Sequence, residues 1–516
     1  MDQLQRLTSA DLIHLAPELT LVIAAVVLSL LDLVLPKMTN RTFLGWLALL
    51  GIIVSAWFVC GEIRALTAAA SAGGMPPMPV ELLHHSYRID NFANVLKLIF
   101  LAGTGLILFM SLGSVQERDI PHVGEFYYLF LPATVGAMVM ASSGDLITLF
   151  VGLELLSITS YILVGMRKKH GFSNEAAFKY VTLGGISSAI ILYGMSFLYG
   201  LTGSTNISEI NTILSQNYET YSALVYVAFF LLLAGFGFKI AAAPFHAWAP
   251  DVYQGAPSPV TAFLAVVSKA AGFAMAYRVI FGIFGIGGWM GTELQHDLFL
   301  SICVVAATAM IVGNAVALRQ KSMKRLLAYS GVANAGYLLV PLGAHFGMFH
   351  YSNFEEFAYY LIAYLFMNIG AIAVLMMVSG DKNEDDLSSF AGLYYRSPYT
   401  AVAMVILILS LAGLPVTGGF FGKLFIMLGA LQNQIYWLPA IMILTSVASL
   451  YYYFGIIRQM FMRSADDGEA IKSSPTLQIT VWICVLATVF LGIYPQGVIG
   501  YLNQVFSLTR DLFILQ

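Results

Sequence analysis

Four charged side chains stand where charge is expensive. Glu154 lies in LFVGLELLSITSYIL, Lys239 in FGFKIAAAPF, Lys269 in LAVVSKAAGFA and Lys423 in GGFFGKLFIML. Each is embedded in an apolar run, and a charge at the centre of a bilayer costs about 2.5–3.5 kcal/mol even on insertion scales. Charges retained at such depth usually face a bundle interior or a water-filled path. Burial disfavours the charged form of a lysine, and a nearby carboxylate favours it. A lysine beside a movable glutamate therefore changes its proton affinity as the pair opens and closes. Lysines strung along the midplane, bridged by hydroxyls and water, can then hand a proton along without any bound cofactor.

The bland readings are a buried ion pair that serves structure only, and a snorkelling anchor. A structural buried pair is a poor way to gain stability. A lysine near a helix end can carry its ammonium to the interface. That suits Lys179, which follows a basic loop, and Arg278 near the other face; Lys97 fits both readings. His246 fits both as well, as a satisfied core residue or as a relay member. Ser157, Tyr253, Ser268 and Thr417 could supply hydroxyls, although such residues are unspecific.

Helices must position these groups. Hydrophobic residues make up 59% of the 516 residues and charged residues 10%, against about 25% charged in a soluble domain. The chain cannot cover a water-facing surface, so its solvent is largely lipid. A span needs about 20 predominantly apolar residues. Such runs occur near 16–35, 43–60, 92–112, 126–142, 145–165, 176–201 and 221–243, then near 258–284, 298–318, 323–344, 355–379, 399–431, 434–462 and 475–496. This predicts about fourteen transmembrane helices and no strands. The first run is of spanning length with no small-residue cleavage site after it, so it reads as a retained helix. The junction 142–145 is the shortest, and 247–253 reads as a half-helix.

Loop charge orients the stack. With both ends outside, the inward loops hold Lys37, Arg41, Arg118, Arg167, Lys168, Lys169, Arg319, Lys321, Lys324, Arg325, Lys382, Arg396, Arg458, Arg463 and Lys472. The outward side holds Arg6, Arg64, Arg88 and Arg510. This asymmetry is what the positive-inside rule asks for. No loop is long enough to fold on its own.

Two spans are interrupted by proline. Pro244 follows Lys239 inside AAAPFHAWAPDVYQGAPSP, and Pro415 precedes Lys423 inside LAGLPVTGGFFGK. A proline within a span frees backbone carbonyls, which is tolerable only in protein or beside water. Two broken spans, five apart and each beside a buried lysine, resemble inverted repeats. The triplet Leu233–Ala234–Gly235 recurs as Leu411–Ala412–Gly413, but the lysine precedes the proline in one copy and follows it in the other.

Other chemistries find little support. A net charge of −3 does not mark a nucleic-acid binder. Cys60, Cys303 and Cys484 each stand alone in apolar runs, so zinc, iron–sulfur and disulfide readings fail. GGFFGKL at 418–424 lacks the first glycine and the final Ser/Thr of a phosphate loop. His84, His85, His345 and His350 form no metal-ligand pattern. Electron-transfer chemistry is not expected in this chain.

At these residues the sequence resembles the antiporter-like membrane subunits of respiratory complex I, the proton-translocating NADH:quinone oxidoreductase, and within them the subunit-N branch. The carrying segments are HLAPELTLVIAAVVLSLLDL, ASSGDLITLFVGLELLSITSYILVG, FKIAAAPFHAWAPDVYQGAPSPVTAFLAVVSKAAGFA, KRLLAYSGVANAGYLLV and LSLAGLPVTGGFFGKLF. The short tail after the last span departs from subunit L, whose pattern ends in a long lateral helix. The resemblance implies an all-α membrane fold of fourteen helices, with repeats at 126–284 and 298–462. It makes Glu154 the fifth-span glutamate paired with Lys239, Lys269 the eighth-span relay and Lys423 the terminal lysine of the second half-channel. Lys179, His246 and Lys324 match supporting positions. It further implies an obligate hetero-oligomer in a bacterial-type cell membrane, with NADH, FMN, iron–sulfur clusters and quinone handled by partner subunits. Two alternatives stay open: a subunit of a multisubunit sodium/proton antiporter or of a hydrogenase- or ferredoxin-linked relative, and a non-transporting scaffold.

Overall fold

The computed structural model describes residues 9–36, 40–71, 79–115, 119–285, 288–289, 291–344, 353–380, 385–464, 471, 473–506 and 511. His345, His350, Arg6, Lys37, Arg118, Lys382, Lys472 and Arg510 lie outside them. The spans are α1 (Ala16–Val34), α2 (Thr42–Ser71), α3 (Asn91–Ser111), α4 (Val123–Ser142), α5 (Leu146–Val164), α6 (Gly171–Thr202) and α7 (Tyr218–Lys239). They continue as α8 (Ser258–Phe284), α9 (Glu293–Ala317), α10 (Met323–Gly343) and α11 (Asn353–Ser379). After them come α12 in two halves (Pro398–Ala412 and Gly418–Gln432), α13 (Trp437–Met462) and α14 (Pro475–Ile493). Thirteen of these are long and apolar enough to cross a membrane unaided, and the halves of α12 make the fourteenth.

Local chemistry starts and stops these helices. Asp90 caps α3, Asp145 caps α5, Thr292 caps α9, Ser322 caps α10 and Ser474 caps α14, each accepting from a backbone N–H of the first turn. The short 143–145 junction is a real reversal: Gly144 N donates to Ser86 O at 2.9 Å, and Leu146 N to Thr205 O at 2.9 Å. These bonds satisfy a turn too brief to satisfy itself.

Two expectations need correction. The second span does not stop near residue 60 but runs to Ser71. Hydropathy dips at Glu62 and Arg64, yet the segment is rich in good helix formers and Ile63 still packs into the core. The loop after it also holds a small antiparallel hairpin, β1 (Val80–Leu82) with β2 (Tyr87–Ile89), pairing Val80 with Ile89. Three-residue strands leave no readable alternation.

Burial runs from the outside in. α1 presents Val26, Leu30, Leu33 and Val34 outward, and α13 presents Leu444, Val447 and Tyr451. Apolar faces of this kind are stable against lipid and costly against water. At the centre, the apolar stretch of α8 is wholly buried and that of α10 nearly so. Both central helices carry charged residues, and they lie where lipid cannot reach.

α8 is not uniform. It begins as an α-helix at Ser258–Phe263, becomes a π-helix over Leu264–Ser268 and resumes as an α-helix at Lys269. π segments occur frequently at functional sites. The other irregular places are 240–248, between α7 and the short helix Ala249–Gly255, and 413–417, inside α12. Ala241 (φ 56°) and Val416 (φ 71°) hold left-handed backbone there. A non-glycine residue in that region costs about 1–3 kcal/mol and persists only where the surroundings enforce it.

Candidate functional site

Lys239 is the last residue of α7, ending where the helix breaks. Its ammonium donates to Ser157 Oγ at 2.9 Å. Ser157 lies three residues beyond Glu154 on α5, so both face the same way. Glu154 is half-buried, and its Oε1 accepts no hydrogen bond among the described residues. The resemblance pairs Glu154 with Lys239; here no ion pair joins them, and the lysine rests on the neighbouring hydroxyl. At the break Trp248 Nε1 donates to Phe238 O at 2.8 Å, a carbonyl near the end of α7 that also accepts from Ala241 N at 3.0 Å.

Lys269 is the first residue after the π segment and is 2% exposed. It donates to Gly331 O of α10 at 2.7 Å and sits 5.6 Å from the centroid of the Tyr364 ring. An added Cβ at Gly331 would stand 3.0 Å from the Lys269 nitrogen and 3.2 Å from Tyr364 OH, so a side chain here would crowd this approach. α8 also touches the Lys239 stem, because a Cβ at Gly272 would lie 3.1 Å from Lys239 Cγ. Among the described residues no hydrogen bond joins the two lysines.

Lys423 uses the second break directly. Its ammonium donates to Leu411 O at 3.0 Å and Ala412 O at 3.3 Å, the carbonyls that end the first half of α12. A cation is favoured at a helix C-terminus by the exposed carbonyls and the helix dipole. The Tyr337 ring lies on its other side, 4.7 Å away.

Polar side chains that the sequence reading passed over fill the space between Lys269 and Lys423. Tyr360 OH donates to Asn334 Oδ1. Asn334 Nδ2 donates to Ser330 O at 2.8 Å, and Ser330 Oγ meets Tyr453 OH at 2.5 Å. Further along, Tyr337 OH meets Thr445 Oγ1 at 3.1 Å and accepts from Ser446 Oγ at 3.2 Å. Ser330, Asn334 and Tyr337 recur at helical spacing within an apolar span, a signal that was there to be read.

The supporting residues lie beside the first break. Lys179, partly exposed, pairs with Asp251 at 2.6 Å and Glu175 at 2.8 Å. Arg325 meets the other oxygen of Asp251, also at 2.6 Å, so this aspartate bridges α6 and α10. Burial opposes ionisation of Asp251, but Lys179 and Arg325 outweigh it and hold the carboxyl below its ordinary range. Lys324, 1% exposed, donates to Ala256 O at 3.0 Å and reaches Asp385 at 3.3 Å. His246 is half-buried against the Tyr329 ring, and burial pushes its imidazole below the usual histidine range.

The anchor reading fails for Arg278 and Lys97. Arg278 is 4% exposed and donates to Asp90 Oδ1 at 2.6 Å, Ala141 O at 2.8 Å and Asp511 O at 2.9 Å. Lys97 is fully buried and pairs with Glu18 at 2.8 Å. Neither snorkels, because each finds a carboxylate distant in sequence.

Fold and site together define an antiporter-type polytopic membrane protein. Residues 143–449 match the family model described as NADH:quinone oxidoreductase/Mrp antiporter, TM. The chain is 51% identical to NADH-quinone oxidoreductase subunit N of Paenibacillus sp. (strain JDR-2), over 100% of both chains. A chain of respiratory complex I from Thermus thermophilus superimposes with a TM-score of 0.76 at 31% identity, covering 94% of this chain and 98% of that one. A chain of the Mrp complex from Dietzia sp. DQ12-45-1b shares the fold, with a TM-score of 0.79 at 18% identity and 97% coverage of each. The chain belongs to the NADH:quinone oxidoreductase/Mrp antiporter family, in its subunit N branch, the antiporter-like membrane subunits of complex I.

Proposed function

We propose that the chain carries protons across the membrane through Glu154, Lys239, Lys269 and Lys423, driven by redox chemistry in partner subunits. One observation carries this reading. Lys239, Lys269 and Lys423 are each held by neutral oxygens, those of Ser157, Gly331 and Leu411 with Ala412, and none forms an ion pair among the described residues. A neutral amine can still donate to the same oxygens, so losing a proton leaves no group stranded. Lys97 and Lys324 contrast with them, because deprotonation there would abandon Glu18 or Asp385. In this reading Glu154 gates Lys239 by closing the open pair. The Asn334–Tyr360–Tyr337 band then links Lys269 toward Lys423, with Lys179, His246 and Lys324 in support.

The two broken spans favour inverted repeats at 126–284 and 298–462. The excess of Lys and Arg in one set of loops favours both termini outside a bacterial cell membrane. NADH, FMN, iron–sulfur clusters and quinone belong, in this proposal, to partner subunits of an obligate hetero-oligomer. Lys239→Ala is expected to abolish NADH-driven proton accumulation in vesicles while the complex still assembles; normal accumulation would sink the relay. The fold shared with the Mrp complex supports a second reading, a sodium/proton antiporter subunit. Co-purification separates them: flavin and iron–sulfur spectra in the intact complex favour the first, a redox-silent complex the second.

A further inference from the structure

A second group of buried ionisable residues lies in α1–α3, outside the region that the family model covers. Glu18 opens α1, Glu62 lies late in α2 and Lys97 early in α3. Since consecutive spans alternate in direction, all three fall at the same end of the bundle. Ser55 Oγ donates to Pro17 O at 2.9 Å, locking α2 against the start of α1. Lys97 meets Glu18 at 2.8 Å and Tyr87 OH at 3.1 Å. The side chains of Glu18 and Glu62 are 8% and 10% exposed, and that of Lys97 is not exposed at all.

The charges do not balance. Glu18 already answers Lys97, so Glu62 is an excess carboxylate in the same pocket. The charged groups that face Glu62 are Lys97, Glu18 and His14, the last with Nδ1 3.9 Å from Glu62 Oε1. Asp11 lies one turn before His14 on the short helix Ser9–His14. Neither oxygen of Glu62 accepts a hydrogen bond among the described residues. An isolated buried carboxylate is costly, and it takes a proton when no partner neutralises it. His14 is 36% exposed, so part of its ring reaches the outside of the bundle while Nδ1 faces Glu62.

We propose that Glu62 holds an exchangeable proton and that His14 passes it to and from water at this end of the bundle, with the Glu18–Lys97 pair fixing the local charge. The step is a simple transfer. The Nδ1–H bond of the His14 imidazolium breaks as an O–H bond forms on Glu62, through one bridging water across the 3.9 Å gap. The neutral imidazole then regains a proton from solvent. α3 relates this site to the lysines: a Cβ at Gly103 would meet Val267 at 2.8 Å, so the helix bearing Lys97 lies directly on the π segment before Lys269. Lys97 is six residues from Gly103, about 9 Å along the axis. In the proposed orientation the site faces outward. The inference deepens the proton-translocating reading and rests on it for the direction of flow and the link to proton accumulation, whereas the exchangeable carboxyl is read independently of it.

The test uses the intact complex in vesicles, carrying the wild-type chain, Glu62→Gln, His14→Ala or Lys239→Ala. Infrared hydrogen/deuterium difference spectra at neutral pH should show a protonated-carboxyl band in the wild type and in Lys239→Ala, absent from Glu62→Gln. His14→Ala, a partly exposed position, should keep the band but slow its isotope exchange by about a hundredfold, the low end of what a positioned acid–base group contributes. Glu62→Gln should also slow proton accumulation relative to NADH oxidation, and Glu62→Asp should restore both band and accumulation. An unchanged band or an unchanged proton-to-NADH ratio in Glu62→Gln overturns the proposal. Lys239→Ala reports on the lysine relay separately, so failure of either idea leaves the other standing or falling on its own data.

Discussion

At the residue scale, the distinguishing property of the three lysines of the proposed relay is the kind of oxygen that holds them. Ser157, Gly331 and the end of the first half of α12 tolerate both protonation states, whereas an aspartate or glutamate would favour one. Asp251 shows the opposite design, with two cations on one carboxylate. Its folded-state affinity for protons is lowered, so its stabilisation is complete above the unfolded aspartate value of about 3.9. That contribution is lost only as pH falls through the still lower folded value. The melting deficit of Asp251→Asn relative to wild type should therefore be constant from pH 7 to pH 5 and shrink below about pH 4. The four charges within spans were legible because an ionisable letter inside an apolar run is conspicuous. Glu18, Glu62 and the partners of Arg278 were not. Each sits near the end of a run, where exposure is the natural assumption, and burial depends on a partner far away in the chain.

At the element scale, helix ends do the placing. The first break ends α7 at Lys239, and the second supplies Lys423 with carbonyl acceptors. Both were visible as prolines, but the acceptors were not, since nothing in GGFFGK says which carbonyls it will meet. Gly413 turns the chain at φ 84°, and an added Cβ would lie 3.0 Å from Lys423 Cδ and 3.3 Å from its nitrogen. Gly413→Ala should cost about 1–2 kcal/mol in the left-handed backbone alone. It should also push Lys423 off Leu411 and Ala412, lowering both the melting temperature of the complex and its proton accumulation. Loss of stability with intact pumping would show that these carbonyls are dispensable acceptors.

At the scale of the whole molecule, one buried node gathers distant parts. Asp90 caps α3, accepts from Arg278 of α8 at 2.6 Å and meets Arg88 of the hairpin at 3.0 Å. Arg278 in turn reaches Asp511 O near the end of the chain. Removing one partner of a buried ion pair costs about 3–5 kcal/mol, because the other charge is left behind. Asp90→Ala should thus lower stability by at least about 3 kcal/mol, or prevent assembly. Asp90→Asn, which keeps the cap acceptor but loses the charge, should be milder, as detergent-phase thermal melts would show. Fourteen spans could be counted from hydropathy because lipid imposes a length on each. The order in which they pack could not, because it is set by contacts such as these.

The π segment Leu264–Ser268 has a consequence for orientation. A π turn holds about one residue more than the α turn it replaces, and each residue rotates about 100° around the axis. The helix on either side of it is therefore like two rotors on a common shaft, out of phase with each other. The segment 258–263 can settle against its own neighbours without dictating where Lys269 points. The angle at which that ammonium meets Gly331 is set by the number of residues wound into the bulge.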